Sequence, residues 1–318
     1  MKKQLGLQVT KYFTKESWLK VIDNYNLSQF GISFFTSDKD FLNISEKLDY
    51  LFILNFKEKY LTKLLNLKML YIGVSDLDYL DKLSFPKSLI VEFSKGISSK
   101  YIAEYNLMTS LALIRNYKTA LVNQINGQWN QEIFFSTSIE SILDYKIGVI
   151  GMGHNGKATG QIFSNLGCKV SYLSRKEVDT SFTSKFFSFE NIDDFLLRNE
   201  IIIITLPLRE NTRNLIGKEQ LISMGPDSYL INSSRSEIVN EVSLIEFLEK
   251  GLIKGAALDV SSLENMNNYK WYKPFHSSKK NSPMWKLDNL LITPHIAGSA
   301  NHLVKSIQYD FIDKLGNL

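Results

Sequence analysis

The chain has 318 residues, 44% of them hydrophobic and 22% charged, which is the balance of a globular protein with apolar material for about two domains. The chain has 37 Lys and Arg residues and 33 Asp and Glu residues, which gives a net charge of +4. This small excess argues against a nucleic-acid partner, because proteins that bind nucleic acids usually have a strongly basic surface. The single cysteine, Cys168, excludes an intramolecular disulfide, and with only four scattered histidines the sequence predicts no metal site.

The first part of the chain, up to about Phe93, alternates short apolar runs with polar stretches compatible with helices. The runs are residues 31–35, 50–54 and 69–74. Runs of this length between polar segments are typical of buried strands, so the pattern predicts a small α/β domain. Between Ser98 and Tyr117 the apolar residues recur at helical spacing, which predicts a helix with Ser98 or Ser99 as its N-cap.

From Lys146 onward the pattern alternates strand, turn and helix. The predicted strands are residues 146–150, 169–173, 201–204, 229–231 and 255–258. A helix is predicted from Ala158 to Leu166, and Gly167 closes it. Near-continuous runs of Ile, Leu and Val suit strands covered on both faces, so this part of the chain predicts a parallel sheet between helices.

The sequence contains no recognisable targeting or membrane-spanning segment. The residues after Met1 mix polar and apolar types and form no signal-peptide core. The longest apolar stretch, residues 201–208, is far too short to cross a bilayer. We therefore expect a cytoplasmic protein without a membrane partner.

A glycine-rich turn lies between the strand at 146–150 and the helix that follows it. Gly151 suits a tight turn, Gly153 allows the backbone to approach a pyrophosphate, and Gly156 allows close packing of the helix. The helix N-terminus adds free N–H groups and the positive end of its dipole. The context predicts a dinucleotide site, whose residues are Gly151, Met152, Gly153, His154, Asn155 and Gly156.

The end of the next strand predicts which dinucleotide is bound. Enzymes that use NAD carry an acidic residue here, whereas this chain has Ser174 followed by Arg175 and Lys176. A hydroxyl and a guanidinium suit a 2′-phosphate, and no carboxylate repels it. In the alternative interpretation the two cations begin a solvated loop, and Glu177 partly neutralises them. We expect NADP(H) as the preferred cofactor, with NAD(H) as the alternative.

Three further motifs follow the glycine turn. They are Asn232-Ser233-Ser234-Arg235, Gly255-Ala256-Ala257-Leu258-Asp259-Val260 with Glu264, and Thr293-Pro294-His295-Ile296-Ala297-Gly298. The set resembles the D-isomer-specific 2-hydroxyacid dehydrogenase family from about Ala103 to Gly298. The resemblance implies an α/β fold in which a Rossmann-type doubly wound parallel sheet, residues 96–298, is inserted into a smaller flavodoxin-like α/β substrate domain. The smaller domain would comprise residues 1–95 and 299–318, with the active site in the cleft between the domains.

The resemblance implies NAD(P)H-dependent reduction of a 2-keto acid to a D-2-hydroxy acid, and this chemistry explains the residue types in the motifs. The planar guanidinium of Arg235 matches a substrate carboxylate and stabilises charge that develops on the carbonyl oxygen. His295 suits the proton donor, because imidazole titrates near working pH. Glu264 would hydrogen-bond the other ring nitrogen and favour the imidazolium. We therefore predict Arg235, Glu264 and His295 as catalytic residues.

The resemblance also implies contacts with cofactor and substrate. The residue matching Asp259 contacts the nicotinamide carboxamide in the family. The backbone at Gly73 and Val74 would receive the substrate carboxylate, together with Arg235 and His295. Further cofactor contacts are implied for Leu206, Pro207, Thr212, Ser233, Ser234 and Gly298. The expected partner is a small 2-keto or 2-hydroxy acid, and the expected assembly is a homodimer.

The chain departs from the family pattern at several positions. Tyr105 replaces a customary histidine, Ser236 a glycine and Asn265 a proline. The segment from Asn265 to Ser282 is longer than usual by roughly a dozen residues, and we interpret it as a surface or dimer-contact loop or as a lid. Its lysines and aromatic residues are a weaker indication of a nucleic-acid surface.

Two other functions fit the same motifs. Phosphite dehydrogenases share the arginine, glutamate and histidine. Cofactor-sensing proteins that resemble the C-terminal-binding corepressors keep these residues and act mainly through protein partners. Formate dehydrogenases fit less well because they lack the glutamate. The motifs predict the reaction and not the substrate, because the resemblance is faint in the domain that would shape the substrate pocket.

Overall fold

The computed structural model describes residues 2–25, 27–74, 84–136, 140–182, 184–263 and 282–316. The chain divides into two compact units. Unit 1 consists of Met1–Ser98 and Ser299–Leu318, and unit 2 consists of Ser99–Gly298. Unit 1 is therefore built from both ends of the sequence.

Unit 1 contains a five-stranded parallel sheet in the order β2-β1-β3-β4-β5. Its strands are β1 (Gln4–Gln8), β2 (Gly31–Phe35), β3 (Tyr50–Ile53), β4 (Met69–Ile72) and β5 (Ile90–Phe93). The 2-1-3-4-5 order is the flavodoxin-like arrangement, so the predicted fold of the smaller unit is confirmed. The three predicted strands correspond to β2, β3 and β4. The apolar pattern does not predict β1, which alternates Gln and Leu around a glycine, or β5, which has no buried residue.

The helices of unit 1 come from both ends of the chain. They are α1 (Lys15–Asn24), α2 (Asp38–Ile44) and α10 (Leu303–Gly316). Phe311 of α10 lies in the core beside Trp18 and Phe52, with ring centroids 6.0 and 5.4 Å away. The Tyr71 hydroxyl on β4 donates to the Asp310 carboxylate. The C-terminal helix therefore completes a core that the N-terminal strands begin.

Unit 2 contains a seven-stranded parallel sheet in the order β12-β11-β10-β9-β6-β7-β8. Its strands are β6 (Lys146–Ile150), β7 (Lys169–Leu173), β8 (Ser184–Phe187), β9 (Ile201–Ile204), β10 (Tyr229–Asn232), β11 (Gly255–Leu258) and β12 (Leu290–Ile292). The central strands β9, β10 and β11 are buried along their whole length. The strand order reverses between β6 and β9, which is the switch point of a doubly wound sheet. The predicted Rossmann-type fold is confirmed.

The described residues of unit 2 form seven α-helices. They are α3 (Ser99–Ile114), α4 (Tyr117–Ile125), α5 (Glu132–Ser136), α6 (His154–Asn165), α7 (Ile192–Leu197), α8 (Lys218–Met224) and α9 (Glu241–Glu249). Helices α3 and α6 meet through buried polar groups. Asn106 of α3 is fully buried and donates to the Thr159 hydroxyl of α6 at 3.0 Å. This bond holds the helix that follows the glycine turn against α3.

Helix α6 begins at His154, four residues before the predicted start at Ala158. His154, Asn155 and Gly156 therefore belong to its first turn and not to a separate loop. The reason is tertiary: Gly156 has no side chain, so the first turn can approach the backbone of Gly151 closely. A residue pattern alone assigns these polar and glycine residues to a loop.

The other end of α6 closes at a glycine, as predicted. Gly167 has a φ of +95°, and its N–H donates to Ser164. The N–H of Cys168 donates to Phe163, which completes a Schellman motif. The Cys168 side chain is buried, and this burial raises the pKa of its thiol.

Neither a membrane span nor a metal centre is found within the described ranges. No helix there is long and apolar enough to cross a bilayer. No three His, Cys, Asp or Glu side chains of these ranges come together as metal ligands would.

Candidate active site

The carboxyl ends of all seven strands of unit 2 lie at one edge of the sheet, because the strands are parallel. Doubly wound sheets bind ligands at this edge. The predicted residues found there are 151–156 after β6, 174–176 after β7, 206, 207 and 212 after β9, 233–235 after β10, 259 after β11, and 295 and 298 after β12. Gly73 and Val74 follow β4 in unit 1. Glu264 and residues 265–281 lie outside the described residues.

The glycine turn has the geometry that a dinucleotide phosphate requires. A Cβ on Gly156 would lie 1.9 Å from the carbonyl oxygen of Gly151, so the turn needs glycine there. A Cβ on Gly153 would meet no other heavy atom of the described residues within 4 Å. Gly153 is the N-cap of α6, and no described side chain caps the helix. Free N–H groups beside an open backbone fit a pyrophosphate.

The remaining residues of the turn have different surroundings. Met152 is buried and His154 is exposed. The Asn155 side chain accepts a hydrogen bond of 2.7 Å from the Ser99 hydroxyl at the start of α3. Thr205, directly after β9, donates its hydroxyl to Gly151 O at 2.8 Å. The turn is therefore held by α3 on one side and by β9 across the switch point.

The loop after β9 folds around Thr212. The Thr212 hydroxyl donates to Pro207 O at 2.9 Å and accepts the N–H of Arg209 at 2.7 Å. The Leu206 side chain packs on the glycine turn, and its carbonyl accepts the Ser234 hydroxyl. Through these bonds the loops after β9 and β10 form one continuous wall beside the turn.

The end of β7 carries the residues predicted to contact the ribose. Ser174 is buried, its N–H donates to Phe187 O of β8 at 3.1 Å, and its hydroxyl donates to Lys176 O. Arg175 and Lys176 are exposed, and neither has an acidic partner among the described residues. Two exposed cations therefore follow this strand, with the exposed Glu177 directly after them.

Asn232 fixes the loop that carries Arg235. It is fully buried, its amide donates to Arg235 O at 2.8 Å, and its oxygen accepts the N–H of Ser234 at 3.1 Å. The guanidinium of Arg235 donates to Ser234 O at 2.7 Å. The Ser233 hydroxyl is buried without a hydrogen-bond partner among the described residues. A buried orphan hydroxyl in the loop that carries Arg235 fits a polar group of a bound cofactor.

His295 lies on a turn whose backbone is left-handed, with φ of +56°, a costly conformation for a residue other than glycine. Asp259 stabilises this turn. Its carbonyl oxygen accepts the His295 N–H at 2.8 Å, and its carboxylate accepts the N–H groups of Ile296 at 2.8 Å and Ala297 at 2.7 Å. The Thr293 hydroxyl donates to the same carboxylate at 2.6 Å. Asp259 is 1% exposed, so these donors replace the water it has lost.

The loops of Arg235 and His295 are linked through the strand between them. The N–H of Asp259 donates to Asn232 O at 3.0 Å, and Asp259 O accepts the His295 N–H. A guanidinium and an imidazole therefore follow β10 and β12 in a fixed backbone frame, with β11 between them. This pair can serve a substrate that has both a carboxylate to bind and a carbonyl oxygen to protonate.

Three residues of this edge have no role in the sequence-based prediction. Asn232 and Thr293 stand inside the recognised motifs, next to the residues they fix, and Thr205 follows the apolar strand β9. Their positions in the sequence could have indicated this role. A polar residue at the carboxyl end of a buried strand commonly forms hydrogen bonds with the loops that follow the neighbouring strands. Their partners become visible only in the structure.

The family of the chain is decided by comparison of sequences. A profile described as D-isomer specific 2-hydroxyacid dehydrogenase, NAD binding domain, matches residues 107–297, more than half of the chain. The chain belongs to this family. The predicted resemblance is confirmed, and the protein is one of a family of NAD(P)-dependent oxidoreductases.

Among the relatives of the chain, the glyoxylate reductase of Thermofilum pendens (strain DSM 2475 / Hrk 5) is 30% identical over 240 residues. The match covers 74% of this chain and 66% of the relative, just under two thirds of its length.

Two solved structures share the fold. A D-isomer specific 2-hydroxyacid dehydrogenase from Xanthobacter autotrophicus Py2, in complex with NADPH and MES, has a TM-score of 0.80 at 22% identity, over 100% of this chain and 95% of that one. Another from Lactobacillus delbrueckii ssp. bulgaricus, complexed with NAD, has a TM-score of 0.79 at 22% identity, over 98% and 95%. The fold thus occurs with either nicotinamide dinucleotide.

Proposed function

We propose that this 2-hydroxyacid dehydrogenase reduces a 2-keto acid to the D-2-hydroxy acid with NADPH. The supporting observation is that Arg235 and His295 follow β10 and β12 at the same edge that bears the open glycine turn. The reaction needs a cofactor site, a cation for the carboxylate and a proton donor for the carbonyl. This edge offers all three.

Each catalytic residue has a distinct task in the proposal. Arg235 binds the substrate carboxylate through its planar guanidinium and stabilises negative charge on the carbonyl oxygen. When bound, the cofactor supplies the hydride that forms the new C–H bond at the carbonyl carbon. His295 donates a proton to the carbonyl oxygen, which becomes the hydroxyl, and regains a proton from solvent. Glu264 is proposed from the sequence to bond the other ring nitrogen and favour the imidazolium.

Unit 1 is proposed as the substrate-binding domain, with the backbone at Gly73 and Val74 receiving the substrate carboxylate. Gly73 is buried at the end of β4, and a Cβ there would lie 2.6 Å from the ring of Phe52, so a side chain would disturb this backbone. The relative named glyoxylate reductase supports a small 2-keto acid as the substrate class.

The proposed preference for NADPH rests on the end of β7. Two exposed cations without acidic partners among the described residues suit a 2′-phosphate, and Arg175 can bind it bidentately. Ser174 stands where a carboxylate would select the 2′-hydroxyl of NADH. The hydroxyl of Ser174 shapes the loop by bonding to Lys176 O.

We also propose that the protein is a homodimer whose interface includes an apolar surface on unit 2. The surface consists of Tyr117, Ile125, Trp129 and Phe135, which are 58%, 75%, 93% and 79% exposed. We call it the α4–α5 surface. No residue of α4 is buried, so the helix gains little from its own unit. Large apolar side chains that are this exposed within one stretch of the chain favour a protein interface there.

The reaction is tested with purified protein, reduced cofactor and a panel of glyoxylate, hydroxypyruvate and pyruvate. We expect loss of the reduced-nicotinamide absorbance and formation of the D isomer from hydroxypyruvate and pyruvate. Arg235→Lys should lower kcat/KM by about 10²–10³-fold, because an ammonium cannot pair with a carboxylate bidentately.

The matched control is Arg198→Lys, which alters an exposed arginine paired with Asp194 before β9 and should leave the rate unchanged. The proposal is wrong if the wild type reduces none of these acids with either cofactor, or if the two arginine variants lose activity equally.

A further inference from the structure

A chain of hydrogen bonds leads from helix α3 to the turn of His295. The Tyr105 hydroxyl and Thr293 Oγ1 are 2.7 Å apart, and Thr293 Oγ1 donates to Asp259 Oδ1 at 2.6 Å. A threonine hydroxyl has one proton, which here goes to the carboxylate, so Tyr105 is the donor in the first bond. Burial raises the pKa of Tyr105, which keeps that proton on its oxygen. The chain therefore runs from Tyr105 through Thr293 to Asp259.

The last member of this chain determines the backbone path of residues 293–297, which we call the histidine turn. Three successive N–H groups, those of His295, Ile296 and Ala297, donate to Asp259. The N–H of His295 reaches the carbonyl oxygen of Asp259, and those of Ile296 and Ala297 reach its two carboxylate oxygens, so the backbone and the side chain of one residue hold the turn. The left-handed conformation of His295 persists only where such contacts over-determine it. If the Asp259 carboxylate were held less firmly, its bonds to the N–H groups of Ile296 and Ala297 would weaken and the turn would become more mobile.

Tyr105 also holds the histidine turn through its ring. Ile102, Tyr105 and Ala297 form a small buried cluster within unit 2. Tyr105 is 6% exposed, so its hydroxyl acts through Thr293 and not by touching a ligand. The residue thus braces the turn by a polar and an apolar contact, and the two can be separated by substitution.

We infer that Tyr105 is a positioning residue for His295, and that it acts through Thr293 and Asp259. This inference rests on the proposed function, in which His295 donates a proton to the substrate. Proton transfer depends steeply on the placement of the donor, whereas substrate binding depends on it much less. A looser histidine turn should therefore lower kcat and leave KM nearly unchanged.

Three substitutions separate the contacts. Tyr105→Phe removes the hydroxyl and keeps the ring on Ala297. Thr293→Val removes the middle hydroxyl at nearly constant volume, and Thr293→Ser keeps it. The matched control is Tyr145→Phe, which also removes the hydroxyl of a buried tyrosine of unit 2. Tyr145 directly precedes β6, at the opposite edge of the sheet, and its hydroxyl donates to Glu140.

Three measurements are made on the whole chain. Hydrogen exchange reports the protection of the amides of Ile296 and Ala297, and it needs no substrate. Steady-state kinetics with NADPH and the best 2-keto acid give kcat and KM, and a fluorescence titration gives the Kd of NADPH. Tyr105→Phe and Thr293→Val should each speed exchange and lower kcat by about tenfold, the effect of one lost hydrogen bond, with KM and Kd within about twofold.

The conservative Thr293→Ser should regain most of the rate lost in Thr293→Val. The double variant Tyr105→Phe/Thr293→Val should be no slower than Thr293→Val alone, because both changes interrupt one chain. The inference is overturned if Tyr105→Phe matches Tyr145→Phe in exchange, or if exchange accelerates while kcat stays unchanged. If the wild type reduces no 2-keto acid, both the proposed function and this inference are wrong. If hydrogen exchange is unaltered in Tyr105→Phe, only this inference is wrong.

Discussion

The carboxylate of Asp259 shows how one buried side chain can serve the backbone of a site. The resemblance to the family predicts contact with the nicotinamide carboxamide, and the structure adds three donors from within the chain, Thr293, Ile296 and Ala297. Among the described residues Oδ2 accepts only the N–H of Ala297, and a carboxylate oxygen can accept two bonds. Supporting the turn and contacting the cofactor are therefore compatible roles for this residue.

The proposed preference for NADPH rests on two adjacent residues. Arg175→Asp replaces the cation proposed for the 2′-phosphate by a carboxylate that accepts the 2′-hydroxyl, and Ser174→Asp adds a second acid. The double variant should lower the ratio of kcat/KM for NADPH to that for NADH by about 10²-fold, because repulsion replaces a charge-assisted bond. Initial rates with each cofactor measure the ratio.

Lys185→Asp on β8 is the control for the change of charge, because Lys185 is exposed away from the carboxyl end of β7. The ratio should not move in this variant. A wild type that already prefers NADH would contradict the proposed role of Arg175.

Among the elements, α4 and α5 differ most from the rest of unit 2. The other helices each bury at least one side chain against the unit, whereas α4 buries none and the α4–α5 surface is strongly exposed. A helix of nine residues is too short to be stable in water on its own. Packing against a second copy of the chain would supply the missing apolar contact.

Introducing charge into this surface should separate the subunits. We expect the double variant Ile125→Asp/Trp129→Asp to sediment as a monomer of 36.5 kDa, at concentrations where the wild type has twice that mass. The control is Leu197→Asp at the end of α7, because Leu197 is an apolar residue with the same exposed fraction as Ile125, 75%. A monomeric wild type, or a monomeric control, would contradict the proposed interface.

At the scale of the whole molecule, unit 1 depends on residues almost 300 positions apart along the chain. Phe311 and Trp18 pack in one core, and Tyr71 bonds to Asp310 of the same helix. Unit 2 is continuous in sequence and contains the glycine turn, Arg235 and His295. Stability of unit 1 and cofactor binding by unit 2 can therefore be altered separately.

Phe311→Ala should lower the free energy of unfolding of unit 1 by about 3–5 kcal/mol, because it leaves a cavity among aromatic rings. The Kd of NADPH should stay within about twofold. Phe163→Ala, an equally buried change on α6, should instead weaken NADPH binding, because α6 carries the glycine turn. Chemical denaturation and cofactor titration measure the two effects. A large loss of NADPH affinity in Phe311→Ala would show that the units do not act separately.

Sequence patterns predict those parts of the structure that local interactions determine, and they miss contacts between residues far apart in the chain. The four isoleucines of β9 and the glycine turn are local signals, and both are predicted correctly. The start of α6 is not, because it depends on the contact between Gly156 and Gly151. The edge strands β8 and β12 have only four and three residues and are only partly buried, so their apolar residues form runs too short to predict a strand. The bond between Tyr105 and Thr293 spans 188 residues, and no local pattern predicts it.

Cys168 has a practical consequence for spectroscopy. It is the only cysteine of the chain, it is buried beside the Schellman turn, and its raised pKa keeps it as the unreactive thiol at neutral pH. A cysteine introduced at any exposed position would be the single thiol that a maleimide dye or spin label modifies. One probe on each unit, placed in separate variants, can therefore report on that unit during turnover without removal of the native residue.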